Sequence, residues 1–197
     1  MRVSHKNKWI FLAMPKTGSA SIRSALDEFS DLKSVHITKR KKTQNPFYDH
    51  INLREVVSLF KNKNWDFDSY YTFATIRNPW DRTVSLYYHA RQHSWTKANF
   101  EKWLYKIKEN GGFYESIYGK CSNKEGTYCL DYILKFENLQ EDFNTVCDKI
   151  GIPRQELPHR NKSEHKDYTK YYNDETRQIV AKKYARDIKH FGYKFGE

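Results

Sequence analysis

The sequence predicts an α/β fold, a single domain over residues 1–197 with a central, mainly parallel sheet flanked by helices. Short apolar runs alternate with segments of helical periodicity, the pattern of parallel strands joined by helices. A length of 197 residues suits one domain with a sizeable core. Hydrophobic residues make up 38% of the chain and aromatic residues 16%, so a core is expected despite a mean hydropathy of −0.94.

The first half of the chain opens with an apolar run at 9–13, which predicts a strand. Apolar residues at helical spacing follow over 22–29. A strand, a glycine turn and a helix in this order are typical of a nucleotide-binding unit. Further along, residues 35–37 predict a short strand, 53–60 a helix with one apolar face, and 70–76 a core strand.

The second half continues the alternation of helices and strands. The expected elements are a helix from Pro79 to residue 90, a helix over 100–107, a strand over 132–136, and helices over 139–150 and 174–188. Gly151 and Pro153 follow the helix expected at 139–150 and are typical of a helix end.

The charge of the chain indicates the class of its binding partners. Lys and Arg outnumber Asp and Glu by 35 to 24, and the net charge of +11 favours anionic partners. The sequence has no apolar stretch of about 18 residues, so no membrane span is expected. It begins without the apolar core of a signal peptide, which predicts a cytoplasmic protein.

Three cysteines are too few for a zinc site or a disulfide framework. Pairing of Cys121 with Cys129 stays open, with reduced thiols expected.

The segment at 15–21, between the first strand and the first helix, has the composition of an anion-binding loop. Backbone N–H groups and a helix start converge there, which suits a phosphate or a sulfate. Lys16 adds a positive charge, and Gly18 lets the backbone approach the anion closely. The hydroxyl donors are Thr17, Ser19 and Ser21. Because the lysine precedes the glycine, the segment is not a Walker A loop.

A second anion-binding pattern follows the strand at 70–76. Arg77 stands where that strand ends, the edge at which open α/β sheets bind ligands. Ser85 lies about two helical turns further on. An arginine together with a hydroxyl is a suitable receptor for a terminal phosphate, although Arg77 and Asp81 could instead form a structural ion pair. Two anion motifs after two core strands favour a binding function more strongly than either motif does alone.

These two motifs resemble those of the sulfotransferases that use PAPS (3′-phosphoadenosine 5′-phosphosulfate). The most similar branch contains Golgi carbohydrate sulfotransferases and their bacterial relatives, and segments at 132–139, 161–168 and 191–193 extend the resemblance over nearly the whole chain. The resemblance implies a P-loop-like sulfotransferase fold, PAPS as donor, PAP as product, and no metal. The implied donor-binding residues are Lys16, Thr17, Gly18, Ser19, Ala20 and Ser21 for the 5′-phosphosulfate, Arg77 and Ser85 for the 3′-phosphate, and Lys162 and Ser163. Ala20 departs from the family, which often has a hydroxyl there.

Sulfuryl transfer needs a base that removes the proton of the acceptor. Histidine suits this role because its pKa lies near neutrality. Of the eight histidines, His50 is the first candidate, since the segment after it resembles the family's histidine followed by a short helix. His36, at the end of a predicted strand, is the second. Lys16 is also expected to be catalytic, by stabilising the charge on the bridging oxygen of the leaving phosphate.

The resemblance implies a carbohydrate hydroxyl as acceptor, with a small-molecule alcohol, an amine or a protein tyrosine as alternatives. The basic run at 39–42 is either a guide for an anionic acceptor or a solvated loop. Two other functions stay open, a P-loop-type kinase that uses ATP and a basic nucleic-acid-binding domain. The order of residues at 15–21 argues against the kinase. No nucleic-acid-binding motif is recognisable, so no nucleic-acid partner is expected.

Overall fold

The chain forms two compact units. The computed structural model describes residues 1–90, 96–109, 115–158 and 167–197, without the side chains at 40, 90, 97 and 109. The first unit comprises Met1–Ile76 and Gly119–Asn161, and the second comprises Arg77–Tyr118 and Lys162–Glu197. The single domain over residues 1–197 stays a prediction.

The first unit contains a five-stranded sheet in the order β3-β1-β2-β4-β5. Its strands are β1 (Arg2–Ser4), β2 (Trp9–Leu12), β3 (Leu32–Lys33), β4 (Tyr71–Ile76) and β5 (Tyr132–Lys135). β1 is antiparallel to β2 and β3, whereas β2, β4 and β5 are parallel, with Phe73 opposite both Phe11 and Tyr132. The loop after β2 therefore starts at the carboxyl edge of the parallel strands, where open α/β sheets bind ligands.

Helices alternate with the strands along the chain. They are α1 (Ser19–Leu26), α2 (Arg40–Thr43), α3 (Leu53–Asn62), α4 (Pro79–Ala90), α5 (Lys97–Glu109), α6 (Ile117–Lys120), α7 (Leu139–Ile150), α8 (Asp174–Lys183) and α9 (Ala185–Phe191). Together with the sheet they confirm the predicted α/β class. In the part of the chain that the structure describes, no helix is both long and apolar enough to cross a bilayer.

One face of the sheet is covered by α1 and α7. Trp9, Phe11 and Phe73 share this face because alternate strand residues point to the same side. The helices contribute Ile22, Ala25 and Leu26 from α1 and Phe143, Val146, Cys147 and Ile150 from α7. Each large apolar side chain buried here contributes about 1.5–3 kcal/mol. This packing fixes both ends of the loop between β2 and α1.

The second unit has a core rich in aromatic residues. The rings of Tyr87 and Phe100 meet edge to face with centroids 5.4 Å apart, and those of Phe100 and Tyr172 meet at 5.2 Å. The indole N–H of Trp80 donates to the Arg177 carbonyl at 3.0 Å. These contacts hold α4 against the rest of its unit.

The strand predicted at 35–37 is wrong. The short edge strand is β3, and Val35 makes only an isolated bridge with Tyr48. The Val35 amide donates to the Phe47 carbonyl at 3.1 Å, and its carbonyl accepts from the Asp49 amide at 2.9 Å. Val35 is therefore extended because it pairs with the segment before His50, a long-range contact that an apolar pattern does not reveal.

The single helix predicted at 174–188 is also wrong, because it divides into α8 and α9. Tyr184 lies between them with φ −110° and ψ 27°, outside the helical range. In α9 the buried Asp187 carboxylate accepts the amides of Ile117 and Tyr118 at 2.9 and 2.8 Å. This contact sets the direction of α9, and helical periodicity carries no information about it.

Candidate active site

The loop between β2 and α1 turns at two residues with left-handed backbone. Lys16 has a φ of 64° and Gly18 a φ of 75°. For a residue with a Cβ this conformation costs about 1–2 kcal/mol, whereas glycine adopts it readily. A Cβ on Gly18 would also lie 2.9 Å from Cδ2 of Leu139 and Cδ2 of Phe136. Both the backbone angle and the close approach of these side chains therefore require glycine at position 18.

Two hydroxyls of this loop bind its own backbone. Thr17 Oγ1 donates to the Met14 carbonyl at 3.0 Å, and Ser19 Oγ donates to the same carbonyl at 2.7 Å. Thr17 Oγ1 also lies 2.5 Å from Thr75 Oγ1 on β4. Both loop side chains are buried. In this conformation Thr17 and Ser19 shape the loop, which differs from the direct donation to an anion expected from the sequence.

The loop presents a cationic surface at the start of α1. Its partly exposed residues are Lys16, Gly18 and Ala20, and its buried ones are Pro15, Thr17, Ser19 and Ser21. The first turn of α1 contains no acidic residue, so the positive end of the helix dipole is not neutralised there. Backbone amides, a helix start and one lysine together form a surface that suits a phosphate or a sulfate.

The His50 ring lies against the start of this loop. Its Nδ1 is 2.9 Å from the carbonyl oxygen of Ala13, the residue after β2. Because a carbonyl only accepts, Nδ1 must carry the proton and Nε2 the lone pair. Among the described residues, none makes a hydrogen bond to Nε2. The imidazole is thus held in the tautomer that a general base needs.

The pKa of His50 is lowered to about 4. Burial is the largest cause, the Ala13 carbonyl and the Asp49 carboxylate act in the opposite direction, and the amino terminus and Arg23 add to the lowering. Asp49 is itself bound by Arg23 Nη1 and by the Ser34 hydroxyl, each at 2.6 Å. The ring is therefore neutral at pH 7, as proton acceptance requires.

The backbone of His50 is also anchored. Its φ of 62° is left-handed, a conformation that costs about 1–2 kcal/mol for a residue with a Cβ. Lys120 Nζ donates to the His50 carbonyl at 3.0 Å and to Asn52 Oδ1 at 2.7 Å. Asn52 is the N-cap of α3 and forms a capping box with Glu55. The ring and the backbone of His50 are thus fixed by different segments of the chain.

The second histidine candidate lies in a different environment. His36 is exposed, and its Nδ1 is 2.8 Å from the Thr38 hydroxyl. The basic run at 39–42 follows it, and its Lys39, Lys41 and Lys42 side chains are exposed. The contact between the His50 ring and the β2–α1 loop makes His50 the better placed of the two.

A groove of about 290 Å³ runs along α3, which begins three residues after His50. It is lined by Pro46, Tyr48, Ile51, Arg54, Glu55, Ser58, Leu59 and Lys124. The Glu55 carboxylate accepts from the Tyr48 hydroxyl, at 2.8 and 2.7 Å from its two oxygens. Arg54 and Lys124 are exposed and give this α3 groove a positive character.

The second anion motif belongs to the second unit. Arg77 Nε donates to Asp81 Oδ2 at 2.7 Å, so the ion pair weighed from the sequence is present. Arg77 is 6% exposed and Ser85, on α4, is 2% exposed. An ion pair at Nε orients the planar guanidinium and does not by itself exclude phosphate recognition, since this group carries five N–H donors.

Lys162 and Ser163 lie outside the described residues. All three cysteines are described and none is in a disulfide, although the Cys129 amide donates to the Cys121 carbonyl at 3.1 Å. Over residues 1–90, 96–109, 115–158 and 167–197, no group of three or more His, Cys, Asp or Glu side chains is placed to hold a metal ion.

Sequence reasoning missed Lys120 and Thr75. Lys120 is 70 residues from His50, so no local motif connects the two. Thr75 carried a usable signal, because a hydroxyl in a core strand needs a hydrogen-bond partner when it is buried. That partner is Thr17 of the loop.

The chain is similar to known proteins in sequence and in fold, and these similarities identify its family. A family model described as the sulfotransferase family matches residues 1–194. An uncharacterized protein of Archaeoglobus fulgidus is 29% identical over 92 residues, which are 45% of this chain and 74% of that protein. The crystal structure of mouse sulfotransferase SULT7A1 complexed with PAP is similar, with a TM-score of 0.55 and 14% identity over 95% of this chain and 86% of that one. This second likeness shows the fold.

The family predicted from the motifs at 15–21 and 77–85 is confirmed, and with it the sulfotransferase fold. The carbohydrate branch stays a prediction. Because the match extends over residues 1–194, the chain belongs to the sulfotransferase family and is an enzyme of sulfuryl transfer.

Proposed function

We propose that this chain transfers a sulfuryl group from PAPS to a carbohydrate hydroxyl and releases PAP, without a metal. The donor is supported by the cationic, amide-rich loop between β2 and α1. It is also supported by the PAP bound to the mouse sulfotransferase of similar fold. Membership of the sulfotransferase family favours this reaction over the ATP-dependent kinase and the nucleic-acid-binding domain.

Two sets of residues bind the donor in this proposal. The loop amides and Lys16 hold the 5′-phosphosulfate. Arg77 and Ser85 hold the 3′-phosphate, the group that distinguishes PAPS from ATP. Lys162 and Ser163 complete the donor site by resemblance to the family.

His50 is the general base, and its hydrogen bond to the Ala13 carbonyl is the observation that carries this assignment. Nε2 takes the proton of the acceptor hydroxyl as the hydroxyl oxygen bonds to sulfur. The bond from sulfur to the bridging oxygen breaks, and its electron pair stays on the 5′-phosphate of PAP. The Lys16 ammonium stabilises this charge. Because the ring is bonded at the start of the donor loop, base and donor are held in register.

The α3 groove is the proposed acceptor site. Its volume of about 290 Å³ is near the lower end of the roughly 300–1,000 Å³ typical of ligand pockets. Arg54 and Lys124 suit an acceptor that carries carboxylate or sulfate groups, and Ser58 adds a hydroxyl for sugar recognition. This chemistry favours a charged carbohydrate over a neutral small-molecule alcohol.

Calorimetric titration with PAP and AMP tests the donor. AMP lacks the 3′-phosphate, so it should lose the hydrogen bonds of about 1.5–3 kcal/mol that a charged group makes. We expect AMP to bind roughly 10- to 100-fold more weakly than PAP. Arg77→Ala should reduce this ratio, with thermal unfolding as the control for its ion pair with Asp81. Equal affinities for PAP and AMP in the unsubstituted protein would contradict the proposed 3′-phosphate site.

A further inference from the structure

Lys120 contacts two parts of the segment that carries His50. Its Nζ donates to the backbone carbonyl of His50 at 3.0 Å and to Oδ1 of Asn52 at 2.7 Å. These oxygens belong to residues on either side of Ile51, which is 1% exposed. The Lys120 ammonium, which is 70 residues from His50 in the sequence, therefore joins the base candidate to the N-cap of α3.

The His50 backbone needs such support because it is left-handed, with a φ of 62°. A residue with a Cβ adopts this conformation only where its surroundings enforce it. The contact of Nδ1 with the Ala13 carbonyl fixes the ring but leaves the peptide after His50 to be held by other groups. Lys120 meets that peptide at its carbonyl oxygen.

The start of α3 supplies the other end of the connection. Asn52 and Glu55 form a capping box, so the Asn52 side chain is already oriented by the helix when Lys120 binds it. Because Lys120 binds both Asn52 and the His50 carbonyl, it fixes the His50 backbone relative to the start of α3. A charge-assisted hydrogen bond is about twice as strong as a neutral one, which suits this role.

We propose that Lys120 is a positioning residue for catalysis, which holds the His50 backbone so that Nε2 stays directed at the acceptor hydroxyl. The proposal rests on the proposed function in one respect, the assignment of His50 as base. Lys120 acts through the His50 carbonyl and the Asn52 amide, and takes no part in bond making or breaking.

The ring titration of His50 gives a readout that does not depend on turnover. The ionisable groups acting on the ring are the Asp49 carboxylate, the amino terminus and Arg23, and burial has a larger effect than any of them. The Lys120 ammonium binds the carbonyl of the same residue. When Lys120 is removed, we expect a looser and better hydrated ring. Its pKa should rise from about 4 towards the usual value of about 6.5.

The test compares Lys120→Met with Lys120→Arg and with the control Lys61→Met, which removes an exposed lysine at the other end of α3. Lys120→Met keeps the side-chain stem and removes the donor. We expect kcat to fall roughly 10- to 100-fold, the effect of misplacing a reacting group by about 1 Å. PAP affinity should stay unchanged, and NMR should show the raised pKa of His50. Lys120→Arg should recover part of kcat, and Lys61→Met should behave as the unsubstituted protein.

An unchanged kcat together with an unchanged His50 titration in folded Lys120→Met would overturn the proposal. Circular dichroism reports folding; if Lys120→Met is unfolded, Lys120→Leu, which also lacks the donor, replaces it under the same criteria. His50→Gln tests the assignment of His50 as base separately from the role of Lys120. Full turnover in His50→Gln would remove His50 as base. A pKa of His50 that is higher in Lys120→Met than in Lys120→Gln, both of which lack the positive charge, would still support Lys120 as the residue that holds the ring.

Discussion

Glycine is required at position 18 both by the left-handed backbone angle and by the close packing of its neighbours. Two matched glycine-to-alanine substitutions measure these two effects separately. Gly151 has a φ of 70° like the 75° of Gly18, but a Cβ there meets no atom within 4 Å among the described residues. Gly151→Ala should lower the free energy of unfolding by about 1–2 kcal/mol, from the backbone alone. Gly18→Ala should lower it by about 1–3 kcal/mol more, because of the contacts with Leu139 and Phe136. Urea unfolding measures both, and equal losses would contradict the close approach.

The lowered pKa of His50 predicts a pH dependence of stability. Between pH 6.5 and about 4 the unfolded chain binds a proton at this residue and the folded chain does not. The contribution of His50 to stability is therefore present above pH 6.5 and is lost as the pH falls through this window. His50→Gln should lose less stability over the same range, measured by denaturant unfolding at several pH values. Parallel pH curves for the two proteins would show that the ring is not shielded from water.

The loop between β2 and α1 depends as an element on the pair of hydroxyls at Thr17 and Thr75. Thr17→Val should leave the Met14 carbonyl and the Thr75 hydroxyl without this partner, and should cost about 1–3 kcal/mol of unfolding free energy. The double variant Thr17→Val/Thr75→Val should cost less than the sum of the two single variants by about 0.5 kcal/mol or more. Additive losses in chemical unfolding would mean that the two hydroxyls are not coupled.

The elements that the sequence predicted well are those whose apolar pattern is long. The strand expected at 70–76 is β4, and the helix expected at 139–150 is α7 with the same bounds. β1 and β3 have three and two residues and depend on antiparallel pairing, of β1 with β2 and of β3 with β1, so their own sequences carry little signal. The division between α8 and α9 likewise follows from tertiary contacts.

For the candidate site, the sequence indicates the loop but not the hydrogen bonds that its side chains make. The loop at 15–21 is identifiable because a glycine, a lysine and hydroxyls stand between a strand and a helix. The inward hydrogen bonds of Thr17 and Ser19 depend on the position of the Met14 carbonyl, which composition does not reveal. Lys120 is found only once the fold brings it to His50.

On the scale of the whole molecule, the net charge of +11 predicts electrostatic attraction of an anionic acceptor. Lys42, on the basic run, and Lys149, on α7, are both exposed. Lys42→Glu should lower kcat/KM for a carboxylated or sulfated sugar roughly 5-fold at low salt, since two unit charges 4 Å apart in water interact by about 1 kcal/mol. The effect should vanish in about 1 M salt, where the Debye length is about 3 Å. An equal loss in Lys149→Glu would indicate attraction by net charge alone.

The role of His50 as base beside the donor loop is tested most directly by sulfuryl transfer from labelled PAPS, with PAP binding measured on the same samples. His50→Gln keeps a polar side chain and removes the basic Nε2. If His50 is the base, transfer should be roughly 10²- to 10⁴-fold slower than in the unsubstituted protein, with PAP affinity unchanged. Transfer at the original rate, or a loss of PAP affinity that accounts for the slower rate, would contradict it.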